Sequence, residues 1–225
     1  MHPSLESAKA LDVRRLGVVS YADGLSLQAE LVRERRNGTI PDTLLLLQHP
    51  HVITLGSGSH PEHVLLDEHG RTARGIELFE TGRGGDVTYH GPGQLVGYPI
   101  LDLKPDRCDL HQYLRDLEAV LIDVLAGFDL RAARIDGLTG VWVGDRKLAA
   151  IGVRVSSGWI TSHGFALNVS TDLSYFDAIV PCGIRDHAVG SISAELGRQV
   201  AMVEVKDRVV RAFGERFQRQ PHWPI

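Results

Sequence analysis

Cysteine is nearly absent from this chain: its 225 residues hold only Cys108 and Cys182. Two thiols cannot build a disulfide framework or a four-thiolate zinc site, and so small a number fits a reducing compartment where thiols stay free. Lysine is almost as scarce, with Lys9, Lys104, Lys147 and Lys206 the only lysines among 24 basic residues. Arginine remains protonated, so a proton-shuttling role falls to one of those four. Aliphatic runs are no longer than Leu44 to Leu47, far short of the roughly 20 residues that span a bilayer. Residues 1–7 lack a basic start followed by an apolar stretch, so the expectation is a cytoplasmic protein, neither exported nor embedded in a membrane. A net charge of −4 provides no global positive field to recruit nucleic acid, leaving at most a local basic patch around Arg131, Arg134 and Arg146.

What is present reads as one globular domain over 1–225, with a lead of about residues 1–13 and a loose tail over 218–225; a hydrophobic content of 43% is enough to bury a core. Asp23 is placed to cap a helix through about Arg36, with Leu27, Leu31 and Val32 on one face and Asn37-Gly38 as a left-handed stop. Thr43–Leu47 and Val52–Leu55 read as buried strands, Gly56 to Ser59 breaks the pattern, and a loop region continues to about Gly75. Ile76–Phe79 is a short strand feeding a glycine-rich stretch from Thr81 to Gln94, and Leu95–Leu101 is again strand-like. Helical spacing of Leu110, Tyr113, Leu114, Leu117, Val120, Leu121, Val124 and Leu125 predicts a long helix from Asp109 to Phe128. Thr139–Val143, Lys147–Val155 and Trp159–Val169 then form an antiparallel meander, and a last helix runs over about Glu204–Phe217.

Chemistry concentrates in a few places. Cys182 stands in Pro181-Cys182-Gly183-Ile184, where proline and glycine force a bend, and Lys147 opens an otherwise apolar strand. A thiolate makes and breaks thioesters, and a nearby ammonium favours the thiolate, so the pair points to acyl transfer. The plainer reading of Cys182 is a small buried hydrophobe. Cys108 is the rival nucleophile at the start of the long helix, but Asp106 and Asp109 flank it and oppose a thiolate. Ala149, Ala150 and Gly152 leave room beyond the lysine, either as a slot for an extended acyl chain or to let a helix pack closely. The stretch Gly82 to Gln94 lacks phosphate-loop spacing. It either brings backbone up to a substrate, with Arg83, Tyr89 and His90 as polar tips, or is an elaborate turn. His49, His51, His60, His63 and His69 lack helical zinc spacing and read as surface loop residues, so no metal is expected.

Taken in order, Gln48-His49-Pro50 with Thr54-Leu55-Gly56, the string from Arg83 to Gln94, Lys147 to Gly152, His163 to Val169 and Pro181 to Ile184 resemble the lipoyl/octanoyl transferases of lipoate biosynthesis. The likeness runs from about Arg14 to Phe217, with His51 standing where the family often has a second proline. The resemblance implies an α/β (α+β) fold with a mixed, largely antiparallel sheet and flanking helices, like the biotin and lipoate protein ligases. It further implies transfer of octanoyl from octanoyl-acyl carrier protein to a lysine of lipoyl domains, those of 2-oxoacid dehydrogenase E2 subunits and of the glycine cleavage H protein. Cys182 is then the acyl-thioester nucleophile and Lys147 its acid/base partner. The substrate-binding residues implied are Arg83, Gly84, Gly85, Asp86, Val87, Thr88, Tyr89, His90, Ala150, Ile151, Gly152, Gly164, Phe165 and Ala166. No cofactor is implied beyond the phosphopantetheine that the carrier brings. The competing readings are an ATP-dependent lipoate or biotin ligase of the same fold, a non-catalytic acyl-binding protein, and a cysteine hydrolase.

Overall fold

A computed structural model describes residues 9–105, 107–180 and 188–223. In chain order the strands and helices are β1 (Lys9–Val18), α1 (Tyr21–Arg36), β2 (Asp42–Gln48), β3 (Val52–Leu55), α2 (Glu68–Ala73), β4 (Glu77–Glu80), β5 (Val87–His90), β6 (Gln94–Ile100), α3 (Leu110–Ala126), β7 (Ala132–Ile135), β8 (Leu138–Val143), β9 (Arg146–Val155), β10 (Thr161–Asn168), β11 (Ala188–Val189), α4 (Ile192–Leu196), α5 (Met202–Phe217) and β12 (Arg219–His222).

The main sheet runs β12-β1-β2-β6-β10-β9-β8-β7, with β11 added against β9. From β2 to β7 every neighbouring pair is antiparallel, whereas β1 is parallel to both β2 and β12. The fold is therefore mixed α/β with a largely antiparallel sheet and flanking helices. Strand β2, DTLLLLQ, is apolar on both faces because both are covered. Leu44 and Leu46 join the core under α3 and α5, and Leu45 and Leu47 join the one under α1. The buried stripe of α3, from Tyr113 to Leu125, packs against Val209, Phe213 and Phe217 of α5, with Tyr113 edge-on to Phe217 at 5.9 Å. A small second sheet, β4-β3-β5, has a core of its own around Ile53, Val87, Tyr89 and Phe176.

Several local expectations need correction. The N-cap of α1 is Ser20, whose Oγ accepts from the Asp23 N–H at 3.1 Å; Asp23 lies inside the first turn. The region up to Gly75 contains α2, capped by Asp67, and the glycine-rich stretch contains β5. Residues 218–223 are not loose. Gln218 adopts a left-handed conformation that turns the chain into β12 alongside β1, and Arg219 is ion-paired with buried Asp42 at 2.7 Å. Within the lead segment, Lys9 already begins β1.

Candidate active site

Two glycine-bearing segments meet backbone to backbone. Gly56 N–H donates to Asp86 O, Ser57 N–H to Arg83 O and Gly58 N–H to Gly85 O, at 2.9–3.2 Å. A Cβ on Gly56 would lie 2.2 Å from Gly85 O, so no side chain fits there. The 82–86 loop then reaches the main sheet, where Gly84 N–H donates to Val153 O at 2.8 Å. It covers the part of β9 that β8 does not pair, since the β8–β9 register stops at Val141 opposite Ala149.

Between this loop, α1 and strands β9 and β10 lies a narrow cavity that opens to solvent, walled by small or apolar groups from Ala150 to Gly152 and Gly164 to Ala166. All the substrate-binding residues implied by resemblance line it except Gly84 and Tyr89. Gly84 borders an adjacent groove with Leu110, Leu114, Leu138 and Lys147. Tyr89 points the other way, because β5 alternates its faces. Its hydroxyl meets His51 Nδ1 at 2.8 Å and its ring stacks on Tyr175 in the small-sheet core. The guanidinium of Arg83 is built into the wall, donating to Thr54 O at 2.7 Å and to Gly84 O at 3.0 Å. Asp86 is a tether, accepting from His60 N–H and meeting His63 Nδ1.

Sequence reasoning passed over Tyr21 and Tyr98 as wall residues, and His163 entered it only as the first residue of a quoted motif. Nor is His49 a surface histidine: it is fully buried, with Nδ1 at 2.7 Å from Val19 O and Nε2 at 2.8 Å from the Tyr98 hydroxyl. Because a carbonyl only accepts, Nδ1 carries the proton and Nε2 accepts from Tyr98. The same logic fixes His90. Gln94 donates its amide to Tyr89 O and Asn168 Oδ1, so its Oε1 takes the proton of His90 Nδ1 at 2.7 Å, leaving Nε2 as an acceptor. Burial holds His49 down at about 4 and His90 at about 3, and burial together with Arg83 and Arg154 holds His163 at about 4. All three are neutral at neutral pH. The sequence signalled this cluster only through three separate quoted motifs, Gln48-His49-Pro50, the string from Arg83 to Gln94 with His90, and His163 to Val169.

Lys147 sits at a junction. It is buried, lines the groove beside α3, and also borders a small cleft that shares Thr88, Ala150 and Ala166 with the larger cavity. Its Nζ lies 5.3 Å from the Trp142 ring centroid. β11 runs parallel beside it, pairing Val189 with Lys147 and Ala188 with Arg146. Asn168 Nδ2 and the Lys147 carbonyl hold Gly190 in place. Cys182 lies outside the described residues. The described chain stops before it at Val180, whose N–H donates to His63 O at 2.8 Å, and resumes after it in β11. Cys108 is exposed, one residue before the α3 cap, with Sγ 3.7 Å from Leu103 O. Arg134 and Arg146 are spent on Glu118 and Glu195 rather than gathered in a patch. Among the described residues no helix is long and apolar enough to cross a membrane.

Comparison with known proteins agrees with this geometry. The lipoyl protein ligase A/B catalytic domain family matches residues 20–214. An octanoyltransferase of Rubrobacter xylanophilus is 55% identical over 212 residues, covering 93% of this chain and 95% of that one. Among solved structures, a lipoate-protein ligase A bound with ATP superposes with a TM-score of 0.74 at 18% identity, over 96% of this chain and 90% of that one. A bi-partite lipoate protein ligase from Thermoplasma acidophilum, described with its E2 lipoyl domain, gives 0.70 at 17% identity over 96% and 88%. The two solved structures establish the fold alone. The family match and the relative at 55% identity place the chain in the lipoyl/octanoyl transferase family, and it is an acyltransferase.

Proposed function

We propose that this acyltransferase moves an octanoyl group from octanoyl-acyl carrier protein to a lysine of a lipoyl domain, of the kind carried by 2-oxoacid dehydrogenase E2 subunits and the glycine cleavage H protein. The observation that carries the reading is the position of Lys147, the amine of β9, which lines the groove beside α3 and borders a cleft sharing Thr88, Ala150 and Ala166 with the cavity walled by small residues. A thioester has two arms. The cavity suits the hydrocarbon arm, and the groove beside Leu110, Leu114 and Leu138 suits the carrier's flexible arm.

In the reaction, the Cys182 thiolate attacks the octanoyl carbonyl and forms a new C–S bond. The carrier's C–S bond breaks, and its sulfur leaves with a proton from the Lys147 ammonium. The acceptor amine then attacks the octanoyl-Cys182 thioester, a C–N bond forms, the C–S bond to Cys182 breaks, and neutral Lys147 takes the proton of the incoming amine. Replacing a thioester with an amide drives the second half. The donor arrives already activated, so the proposed chemistry draws on no nucleotide. Neutral His90 and His163 add no positive charge to the cavity wall beyond that of Arg83.

Intact-mass measurement after incubation with octanoyl carrier protein tests the reading. Wild type and Cys108→Ser should gain one octanoyl group, and Cys182→Ser should gain none. Retained labelling of Cys182→Ser removes that residue from the role. Modification of a lipoyl domain from free octanoate and ATP without carrier would replace the reading with a ligase.

A further inference from the structure

On α3, whose inward face is otherwise largely apolar, Glu118 has its side chain 1% exposed. Burying a carboxylate is costly unless it is paired and hydrogen-bonded. One oxygen, Oε2, holds Arg115 Nη1 at 2.8 Å and Arg134 Nε at 2.7 Å, tying α3 to β7. The other, Oε1, accepts the backbone N–H of Gly140 at 3.1 Å. Gly140 lies next to the β8–β9 register shift, at φ +135, a conformation open to glycine. A Cβ there would lie 2.6 Å from Lys147 Cε, 3.3 Å from Lys147 Nζ and 2.6 Å from Ala149 O. The lysine stem therefore runs through the notch that Gly140 leaves, with the Trp142 ring of the same strand along its side.

We propose that Glu118 is a positioning residue for Lys147: by pinning the Gly140 amide it fixes the irregular stretch of β8 whose missing side chain gives the lysine amine its seat. The inference rests on the proposed role of Lys147. Without the carboxylate, Gly140 N–H loses its buried acceptor and the strand relaxes toward regular pairing, which closes the notch. A displacement of about 1 Å at a reacting group can cost about 10²-fold in rate, so the loss should fall on the acylation step rather than on donor binding.

Single-turnover acylation by octanoyl carrier protein is the assay, on full-length variants checked for thermal stability. Glu118→Met keeps the length but offers Gly140 no oxygen, and its acylation rate should fall by about 10²-fold with the half-saturating donor concentration unchanged. Glu118→Gln keeps an acceptor oxygen and should restore the rate to within a few-fold. Asp116→Asn is the control: this buried carboxylate of the same helix has Arg107, Gln112 and Arg216 as its polar partners rather than the backbone of β8, so it should lower stability and leave the rate alone. Equal rates for the Met and Gln variants, high or low, overturn the inference. Should the Met variant fail to fold, Gly140→Ala decides, a wild-type rate again overturning it. Lys147→Ala in the same assay isolates the premise: a wild-type rate there removes the role of Lys147 itself, whereas its collapse beside an undisturbed Glu118→Met removes only the positioning.

Discussion

Acid should unfold this protein through its buried histidines, and His49 gives the cleanest case. Its folded pKa is held at about 4 against 6.5 by burial. Above pH 6.5 the ring is neutral in both folded and unfolded chains and contributes nothing to pH dependence. As pH falls below 6.5 the unfolded chain takes up a proton that the folded ring refuses, so stability drops until pH reaches the folded value. The cost is about 1.4 kcal/mol per pH unit for each such ring, or about 2 kcal/mol at pH 5. His90 and His163 behave alike, with folded values of about 3 and 4, so the three together remove about 6 kcal/mol at pH 5, comparable with the whole stability of a typical domain. Urea unfolding between pH 7.5 and pH 5 would measure this directly. His49→Gln should be less stable than wild type at pH 7.5, because the Val19 and Tyr98 bonds are disturbed. Its stability should nevertheless fall less steeply on acidification, by about 1.4 kcal/mol per pH unit, since one proton has left the linkage. Parallel curves for variant and wild type would refute the assignment of His49 as a buried neutral base.

Two further outcomes follow from the geometry. Arg219→Ala breaks a pair whose side chains are 6% and 1% exposed and leaves Asp42 with Arg35 and the Asp102 N–H; unfolding should cost about 3 kcal/mol less, and amide exchange should accelerate along β1 and β12. Ala150→Leu fills the cavity from its β9 wall; kcat/KM for an octanoyl donor relative to a butanoyl donor should fall by about 10-fold or more, as the loss of about 1–3 kcal/mol in an apolar pocket predicts.

Elements with strong local signatures were legible from sequence. The stripe of α3, the β8–β10 meander and the leucine run of β2 were each placed to within a residue or two, because burial pattern and turn chemistry there agree. What was missed depends on contacts distant in sequence. β12 has no strand signature of its own, and it exists because β1 offers an open edge and Asp42 an ion-pair partner. β5 was hidden inside a run of glycines whose composition spoke of turns. His49 and Tyr98 looked unremarkable one at a time, and only the pairing of β2 with β6 makes them mutual partners, with His90 of β5 brought alongside His49. The glycine string from Arg83 to Gln94 was legible as backbone that either approaches a substrate or turns tightly, and most of its residues from Arg83 to His90 line the cavity. That Tyr89 turns out of it follows from a strand the composition concealed.

The small residues beyond Lys147 supported two readings, an acyl slot or close packing of a helix, and the strand's alternation divides them. Ala149 is 1% exposed and belongs to the core under α3, so its methyl is what lets that helix approach β9. Ala150 and Gly152 line the cavity on the other side, where larger groups would occupy the space a chain needs. One stretch of β9 thus meets two demands at a period of two. Strand β8 stops pairing opposite Ala149 and the 82–86 loop takes over at Val153, so the edge between them stays open. The cavity and the groove share Gly85, Asp86, Ile151 and Gly152 at that opening. A regular β8 would pair through this stretch and separate the two compartments. The left-handed backbone at Gly140 and the register shift beside it, between Val141 and Trp142, therefore leave the opening that the proposed reaction needs for the two arms of its thioester.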